Sequence, residues 1–444
     1  MRGLFLLGIV MASVTAGRLQ AQSFTFNPSK FCSKEHCDPF NTDVENMDAP
    51  TTAPVIRSQD NTPGGSSSGL GAVTNGTSRI VATYNTNTRS VVAYDQDGNY
   101  VCDTGATFGS SVFHSAAMVD QAGNFIVADS SHIGFYDENC NPFALTTTPG
   151  GIPTSPVYTN NGAVVLATQA GPISAYSMTT GALIGSIRPH DPGNPHYYAT
   201  DNSPCVVNNR IYVSMILRDS TNTGRLYAFD IDPANAANPI TVAWYYEVGG
   251  PGGASPTCVA DVNGYSTVVV FDGWHLAPNN VGGPTVFAVA DAGTSGVLQW
   301  ATSVSGDLRT NMPSDRHGIW YWSSGSSNLH QLDISTGALL RTIRIGPMFG
   351  TGIEARPVST MQMTAVAGSP VMLLSIQTME EGLPRGNYLA AINTATETLV
   401  WTMAIPGLSN GQFVLLTGSD GSTEVAFTMY DLGLVVAGQP LPPG

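Results

Sequence analysis

Charge is scarce in this chain. Only 11% of its 444 residues are Asp, Glu, Lys or Arg, against roughly a quarter in ordinary soluble domains. Lysine is nearly missing: Lys30 and Lys34 are the only two. With 17 basic against 32 acidic residues, the formal net charge is −15. That excludes a surface built for nucleic acid or anionic lipid, because both need clustered Lys and Arg. Beyond the first residues no apolar run is long enough to span a membrane. No window of a dozen residues carries a 3.6-residue apolar period, which excludes long amphipathic helices. A P-loop, a Gly-x-Ser-x-Gly elbow and a His-Glu-x-x-His helix are also missing.

What is present is a phrase repeated at intervals of about 40–50 residues. Residues 173–189 read ISAYSMTTGALIGSIRP, and residues 329–345 read LHQLDISTGALLRTIRI. Looser copies lie at 89–106, 224–248, 285–304 and 387–405. Each copy is an alternating apolar run, a turn and a second alternating run, which predicts a strand pair. The 48 glycines and 29 prolines suit many short strands joined by tight turns. Full units span roughly 70–106, 112–148, 153–189, 202–248, 254–304, 310–345 and 355–405. The last stretch, 410–440, holds three strands and lacks a fourth. PVIRSQ (54–59) is placed to supply it and seal a ring. The expectation is an all-β, eight-bladed β-propeller of four-stranded antiparallel blades, with a seven-bladed ring as the runner-up. The propeller domain takes residues 70–444. Residues 22–69 form an irregular segment that contributes the closing strand, with the tract 64–69 as a flexible connection.

The first residues, MRGLFLLGIVMASVTAGRLQA, have a basic start, a short apolar core and small residues at candidate cleavage sites. They read as a signal peptide over 1–21, which predicts a secreted or periplasmic protein. No Cys stands at the cleavage region for a lipid anchor. Six cysteines suit that compartment. Cys32 and Cys37 are close enough to pair locally. Cys205 and Cys258 hold nearly the same place in successive repeats, which would bridge neighbouring blades. Sequence alone leaves the connectivity open.

The phrase Ala-Tyr/Phe-Asp…Thr-Gly-x-Leu-x-Trp resembles the PQQ-like repeat of quinoprotein-type propellers. Residues 295–300 (SGVLQW) and 396–401 (TETLVW) match its end, and Trp244 holds the same place in an expanded copy. Gly185, Arg341 and Cys102 stand where other copies would carry Trp. The resemblance implies that Trp244, Trp300 and Trp401 dock adjacent blades, each needing one partner for its indole N–H. It also implies two functional branches. Cofactor-binding members are oxidoreductases with calcium-ligating Glu and Asn, a catalytic Asp, stacking aromatics and, in many, adjacent cysteines. This chain has no Cys-Cys pair and no stretch matching that set. The other branch scaffolds protein contacts.

Several stretches are candidates for chemistry. The segment 190–198 (HDPGNPHYY) is the densest polar-aromatic one. His190, Asp191, His196 and Tyr197 there are ligand-binding candidates. Two His and an Asp suit a divalent metal, but the spacing matches no standard ligand motif, and no metal is assigned. Trp274 and His275 follow a strand, and Trp274 suits stacking on a ring or a sugar. Arg316 and His317, after Asp315, suit an anionic ligand; an internal salt bridge is the plainer reading. Glu354 and Arg356 invite that structural reading too. Asp95–Asn99 (DQDGN) resembles a short calcium loop, but its parallel at 120–124 (DQAGN) favours a plain hairpin turn.

The expectation is a non-catalytic binding or scaffold module, monomeric, with a protein or glycan partner. It has no membrane span, no nucleic-acid partner and no assigned cofactor. The alternatives are an oxidoreductase using PQQ with calcium in the central channel and, behind it, a sugar-active propeller enzyme.

Overall fold

The computed structural model describes residues 24–26, 31–61, 67–84, 89–108, 116–219, 223–250, 254–274, 284–306, 308, 311–315, 318–323, 326–409, 411–429 and 432–440. The signal-peptide reading over 1–21 lies outside the described residues, as do His275, Arg316 and His317. Short β-branched and aromatic runs bounded by Gly, Asn and Asp turns form strands throughout. They assemble into eight four-stranded antiparallel blades, an eight-bladed β-propeller. Blade 1 runs Ser67–Thr74, Ile80–Tyr84, Val91–Tyr94 and Tyr100–Asp103 from the axis outward. Ser67 to Gly69 therefore belong to a strand, and the rest of the connection expected at 64–69 lies outside the described residues.

Blade 8 has three strands of its own, Val414–Thr417, Thr423–Met429 and Gly433–Gly438. Its fourth is Val55–Gln59, antiparallel to Gly433–Gly438 with Val55 opposite Gly438. Arg57 fixes this seam. It donates to Glu424 Oε1 at 2.5 Å and to the Gln439 carbonyl, and pairs with Asp420 at 2.9 Å.

The fourth strands carry the latches between blades. In seven blades one outer residue, just after a bulge, faces the next blade. Trp244 Nε1 donates to Asp291 Oδ1 at 2.9 Å, Trp300 to the Ile334 carbonyl at 2.9 Å, and Trp401 to the Pro50 carbonyl at 2.7 Å. Where Trp is replaced, other chemistry fills the same place. Cys102 forms a disulfide with Cys140, and Arg341 donates to the Thr394 carbonyl at 2.7 Å. A Cβ at Gly185 would fall 2.3 Å from Pro239 of blade 4. The repeated Thr-Gly turn follows from this docking. Gly337 has φ +70°, and a Cβ there would lie 2.4 Å from the Trp300 indole.

The core is a set of apolar clusters between neighbouring blades rather than one centre. One joins blades 7 and 8 around Leu373, Trp401, Phe413 and Phe427. Another joins blades 3 and 4 around Val165, Tyr198, Val213 and Phe229. Among the described residues no helix is long and apolar enough to cross a membrane.

Candidate functional site

Propellers bind ligands along the axis or on the face where connections cross between blades. The axis here is occupied by the chain itself. Residues 32–49, which the sequence shows as an aperiodic stretch, make one circuit inside the channel and meet the blades in ring order. The Cys32 carbonyl accepts Thr74 N–H of blade 1 at 2.9 Å, and the Ser33 carbonyl accepts Val119 N–H of blade 2 at 2.8 Å. Pro39, Phe40, Thr42 and Asp43 carbonyls then accept Val206, Cys258, Ser314 and Met363 N–H of blades 4 to 7. Glu45 Oε2 accepts Leu415 N–H of blade 8 at 3.0 Å. Val44–Asp48 closes the circuit as a short parallel partner of Gln362–Val366. The inner-strand edges, which would otherwise present unpaired N–H groups, are thus satisfied.

This inner ring concentrates buried charge in a chain that has little. Lys34 has no exposed surface. Its ammonium donates to the Glu35 carbonyl, the Asp38 carbonyl at 3.0 Å and Asn41 Oδ1 at 2.8 Å. Three donors thus meet three acceptors. Burial still pulls its pKa down to about 8, against the pull of Asp38 and Glu35. Burial pushes Asp38 up to about 6 and Glu45 up to about 8. Burial also disfavours charge on His36. The Asp43 carboxylate 3.1 Å from Nδ1, with Glu35, outweighs it and leaves the imidazole above its ordinary value. Four non-glycine residues of the ring, His36, Cys37, Asn41 and Asp43, sit at positive φ. Such strain persists only where surroundings over-determine it, and the Cys32–Cys37 disulfide and the hydrogen bonds to seven blades do so.

An open cleft lies where blade 4 meets blade 5. Blade 4 contributes an inner strand in two pieces, Tyr198–Ala199 and Cys205–Val207, then Arg210–Leu217, Thr223–Ile231 and Ile240–Gly249. Blade 5 contributes Thr257–Val262, Tyr265–Trp274, Pro284–Asp291 and Gly296–Ser303. A small solvent-open cleft is lined by Thr200, Asp201, Asn202, Ser214, Arg225 and Asp272, among others.

Three fastenings hold its walls. Cys205 and Cys258 join the inner strands of the two blades by a disulfide. Asp291 of blade 5 accepts from Arg210, Tyr212 and Trp244 of blade 4. Burial works against that carboxylate's charge, but the Tyr212 and Arg210 hydrogen bonds prevail and keep its pKa low. Gly249 also pairs across to Trp274, joining both blades into one sheet.

Arg225, 6% exposed, forms one wall. Its guanidinium lies 4.5 Å from the Tyr198 ring centre and 4.0 Å from that of Tyr245. Its edges donate to Asp191 Oδ1 at 2.6 Å, Glu247 Oε1 at 2.6 Å and Tyr227 Oη at 3.0 Å. No sequence motif marks this cluster. Its parts come from three separate strands and a connection.

The sequence candidates are distributed around this picture. Asp191 is drawn into the Arg225 cluster and also accepts from Tyr198 Oη. His190 and His196 are exposed and make only local contacts, with the Arg188 carbonyl and with Asn194. Tyr197 stacks on Arg188 at 4.8 Å. The segment is an anchored loop. Trp274 ends a strand, paired with Pro284. Asp315 serves its own blade, accepting from Gly318, Trp320 and Gln331. Glu354 and Arg356 form an ion pair at 2.8 Å. Asp95, Asp120 and Asp137 each accept from the backbone two and four residues on, and from the Asn side chain at the fourth. These loops are one hairpin turn used three times.

Among the described residues, no set fits a quinone with calcium. The inner ring fills the axis, and among the described residues no three His, Cys, Asp or Glu side chains are placed to hold a metal ion. The buried carboxylates of the ring are turned to backbone N–H groups, Thr42 and His36.

No family model matches the sequence, and no curated protein sequence matches it. Solved structures do. Quinohemoprotein alcohol dehydrogenase from Comamonas testosteroni is similar over 94% of this chain and 82% of its own, with a TM-score of 0.57 and 10% identity. The computationally designed Ika8 protein is similar over 85% of this chain and 99% of its own, at 0.53 and 12%. The C-terminal WD40 domain of Sif2 is similar over 88% of this chain and 99% of its own, at 0.51 and 9%. At these identities the likeness is one of fold, the β-propeller.

Proposed function

We propose that this chain is an exported binding module of the quinoprotein-type propeller class, which holds a protein or glycan partner without catalysing a reaction. The observation that carries this reading is the inner ring. It fills the axis with the chain's own residues, and a fastened cleft on blades 4 and 5 stands open beside it. Three disulfides suit an oxidising compartment. Rigid walls favour binding, since little ordering has to accompany it.

The test is a titration of the purified chain with pyrroloquinoline quinone and calcium, following the thermal midpoint and dye-coupled alcohol oxidation. A ligand that binds only the folded state raises the midpoint by mass action. No shift and no turnover is the expected result. A saturable rise together with turnover would overturn the module reading and establish a dehydrogenase.

A further inference from the structure

We propose that Lys34 and Asn41 join through an intramolecular isopeptide bond, a covalent closure inside the inner ring that goes beyond the binding-module reading and does not depend on it.

The observation behind it is a buried cation whose hydrogen bonds reach no carboxylate. Lysine is rarely enclosed unless an opposite charge pairs with it. Lys34 has no exposed surface, and its three hydrogen bonds all end on neutral oxygens, two backbone carbonyls and the Asn41 amide. Holding an ammonium away from water in this way is costly. A neutral amide in its place would remove the charge and the cost together.

Asn41 is equally enclosed. Its Oδ1 lies 2.8 Å from Lys34 Nζ, which sets the carboxamide carbon beside the amine. Its Nδ2 donates to the Ser203 carbonyl at 3.1 Å and to the Pro256 carbonyl at 2.9 Å, so the carboxamide cannot turn away. The Glu35 and Asp38 carbonyls hold the amine from the other side. Two reacting groups fixed in contact have already lost the freedom that a chance encounter would have to remove.

Protonation suits the step. Burial lowers the Lys34 pKa to about 8, against the pull of Asp38, and raises that of Asp38 to about 6. The neutral amine, which is the nucleophile, is therefore accessible near neutral pH. The Asp38 carboxyl accepts from Thr42, the neighbour of Asn41, and can take the proton that the ammonium sheds. The neutral Nζ then attacks Asn41 Cγ. The Nζ–Cγ bond forms, the Cγ–Nδ2 bond breaks, and Nδ2 departs as ammonia with a second proton from Nζ. Ammonia recovers the first proton as it leaves. Side-chain ammonium plus carboxamide thus gives a secondary amide plus ammonium ion, with no oxidant, reductant or cofactor. Lys34 then stops titrating, which alters the ring's pH response only above about pH 8.

The test is mass spectrometry of the purified full chain, reduced, alkylated and digested with trypsin after unfolding. The peptide 31–57, bounded by Lys30 and Arg57, is expected to be lighter by one ammonia and uncut after Lys34. It should yield no backbone fragments between residues 34 and 41, because the new bond holds both halves together. In a parallel sample, acetylation of the unfolded chain should label Lys30 and leave Lys34 untouched. Asn41→Ala is expected to restore the linear peptide and a reactive Lys34.

A peptide of full linear mass that is cut after Lys34 would overturn the inference. So would ammonia lost from Asn41 alone as a succinimide, which leaves fragments between 34 and 41 and a Lys34 that acetylates. A loss of ammonia that persists in Asn41→Ala would overturn it too. The parent chain decides the question by itself, so a variant that fails to fold leaves the test intact.

Discussion

Raising the pH from 5 to 8 is expected to loosen the inner ring, and Glu45 carries most of the effect. Burial raises its folded pKa from 4.5 to about 8. Below pH 4.5 the side chain is protonated in both states, and the ring's stability is fully present. As pH climbs toward 8 the unfolded chain ionises freely while the folded chain does not, so stability is progressively lost. The full displacement corresponds to roughly 5 kcal/mol, and water entry on ionisation would leave about 2–5 kcal/mol. Asp38, raised from 3.8 to about 6, acts in the same direction over the lower part of the window. His36, raised above 6.5 despite its burial, also loses its contribution as pH rises through its folded value. Lys34 opposes them. Its pKa is lowered by burial from 10.5 to about 8, so its contribution is present above 10.5 and lost as pH falls through 8. Its slope therefore lies mostly above the window.

For a chain of this length about 1 kcal/mol moves the melting temperature by ~1 °C. A fall of about 2–5 °C between pH 5 and pH 8 is expected in scanning calorimetry, with faster amide exchange over residues 32–49. Glu45→Gln is the decisive variant. Its carbonyl can still accept from Leu415, and the Gln362 amide, whose Oε1 has no partner, can turn to meet the new N–H donor. That variant should flatten the pH slope and match or exceed the parent at pH 8. An unchanged slope in Glu45→Gln would refute the assignment of the effect to this carboxyl.

Three further outcomes follow from the fastenings. Replacing Cys205 and Cys258 together by Ala is expected to cost about 3–4 kcal/mol in denaturant unfolding, as for a disulfide closing a loop of tens of residues. Gly337→Ala should lower the melting temperature by several degrees, because a methyl there strikes the Trp300 indole at a residue with φ +70°; Trp300→Ala in the same background should make the alanine more tolerable, and additive costs would count against the docking argument. Arg57→Leu strips the buried Glu424 of its ion pair and is expected to cost about 3 kcal/mol, read as a lower unfolding midpoint and earlier proteolytic cleavage near residues 50–60.

Much of the fold is legible in the sequence because a blade writes its own period. The eight-bladed count could be read because residues 410–440 hold three strands, and 54–59 is the one unclaimed apolar run beside them. The latch positions stand out where Trp fills them, at 244, 300 and 401. They are silent at Gly185 and Arg341, where the partner blade completes the contact.

The inner ring was not legible. Its backbone carbonyls, more than its side chains, face seven blades, so no alternation is imposed on residues 32–49. The signal available was compositional. Lys34, Glu35, His36, Asp38, Asp43 and Glu45 crowd into a dozen positions of a chain that is 11% charged, beside two close cysteines. The cleft left no sequence trace, because its walls come from residues 199 to 272 through five strands and their connections. Among the histidine candidates, proximity in sequence did not become proximity of function, since Asp191 turns away from His190 and His196 to meet Arg225.

The circuit of residues 32–49 and the seal at 55–59 both precede blade 1, yet their partners include blades 7 and 8. A chain emerging from its N-terminus therefore carries the hub and the clasp long before the last rim segment exists. Because the hub bonds to seven of the eight blades, it cannot be threaded in after closure; the blades have to gather about it. The ring itself is closed by one long-range strand pairing, with residue 55 opposite residue 438. Until then the late inner strands expose bare edges, so the interval between synthesis of blade 1 and of blade 8 is when this protein most needs protection from self-association.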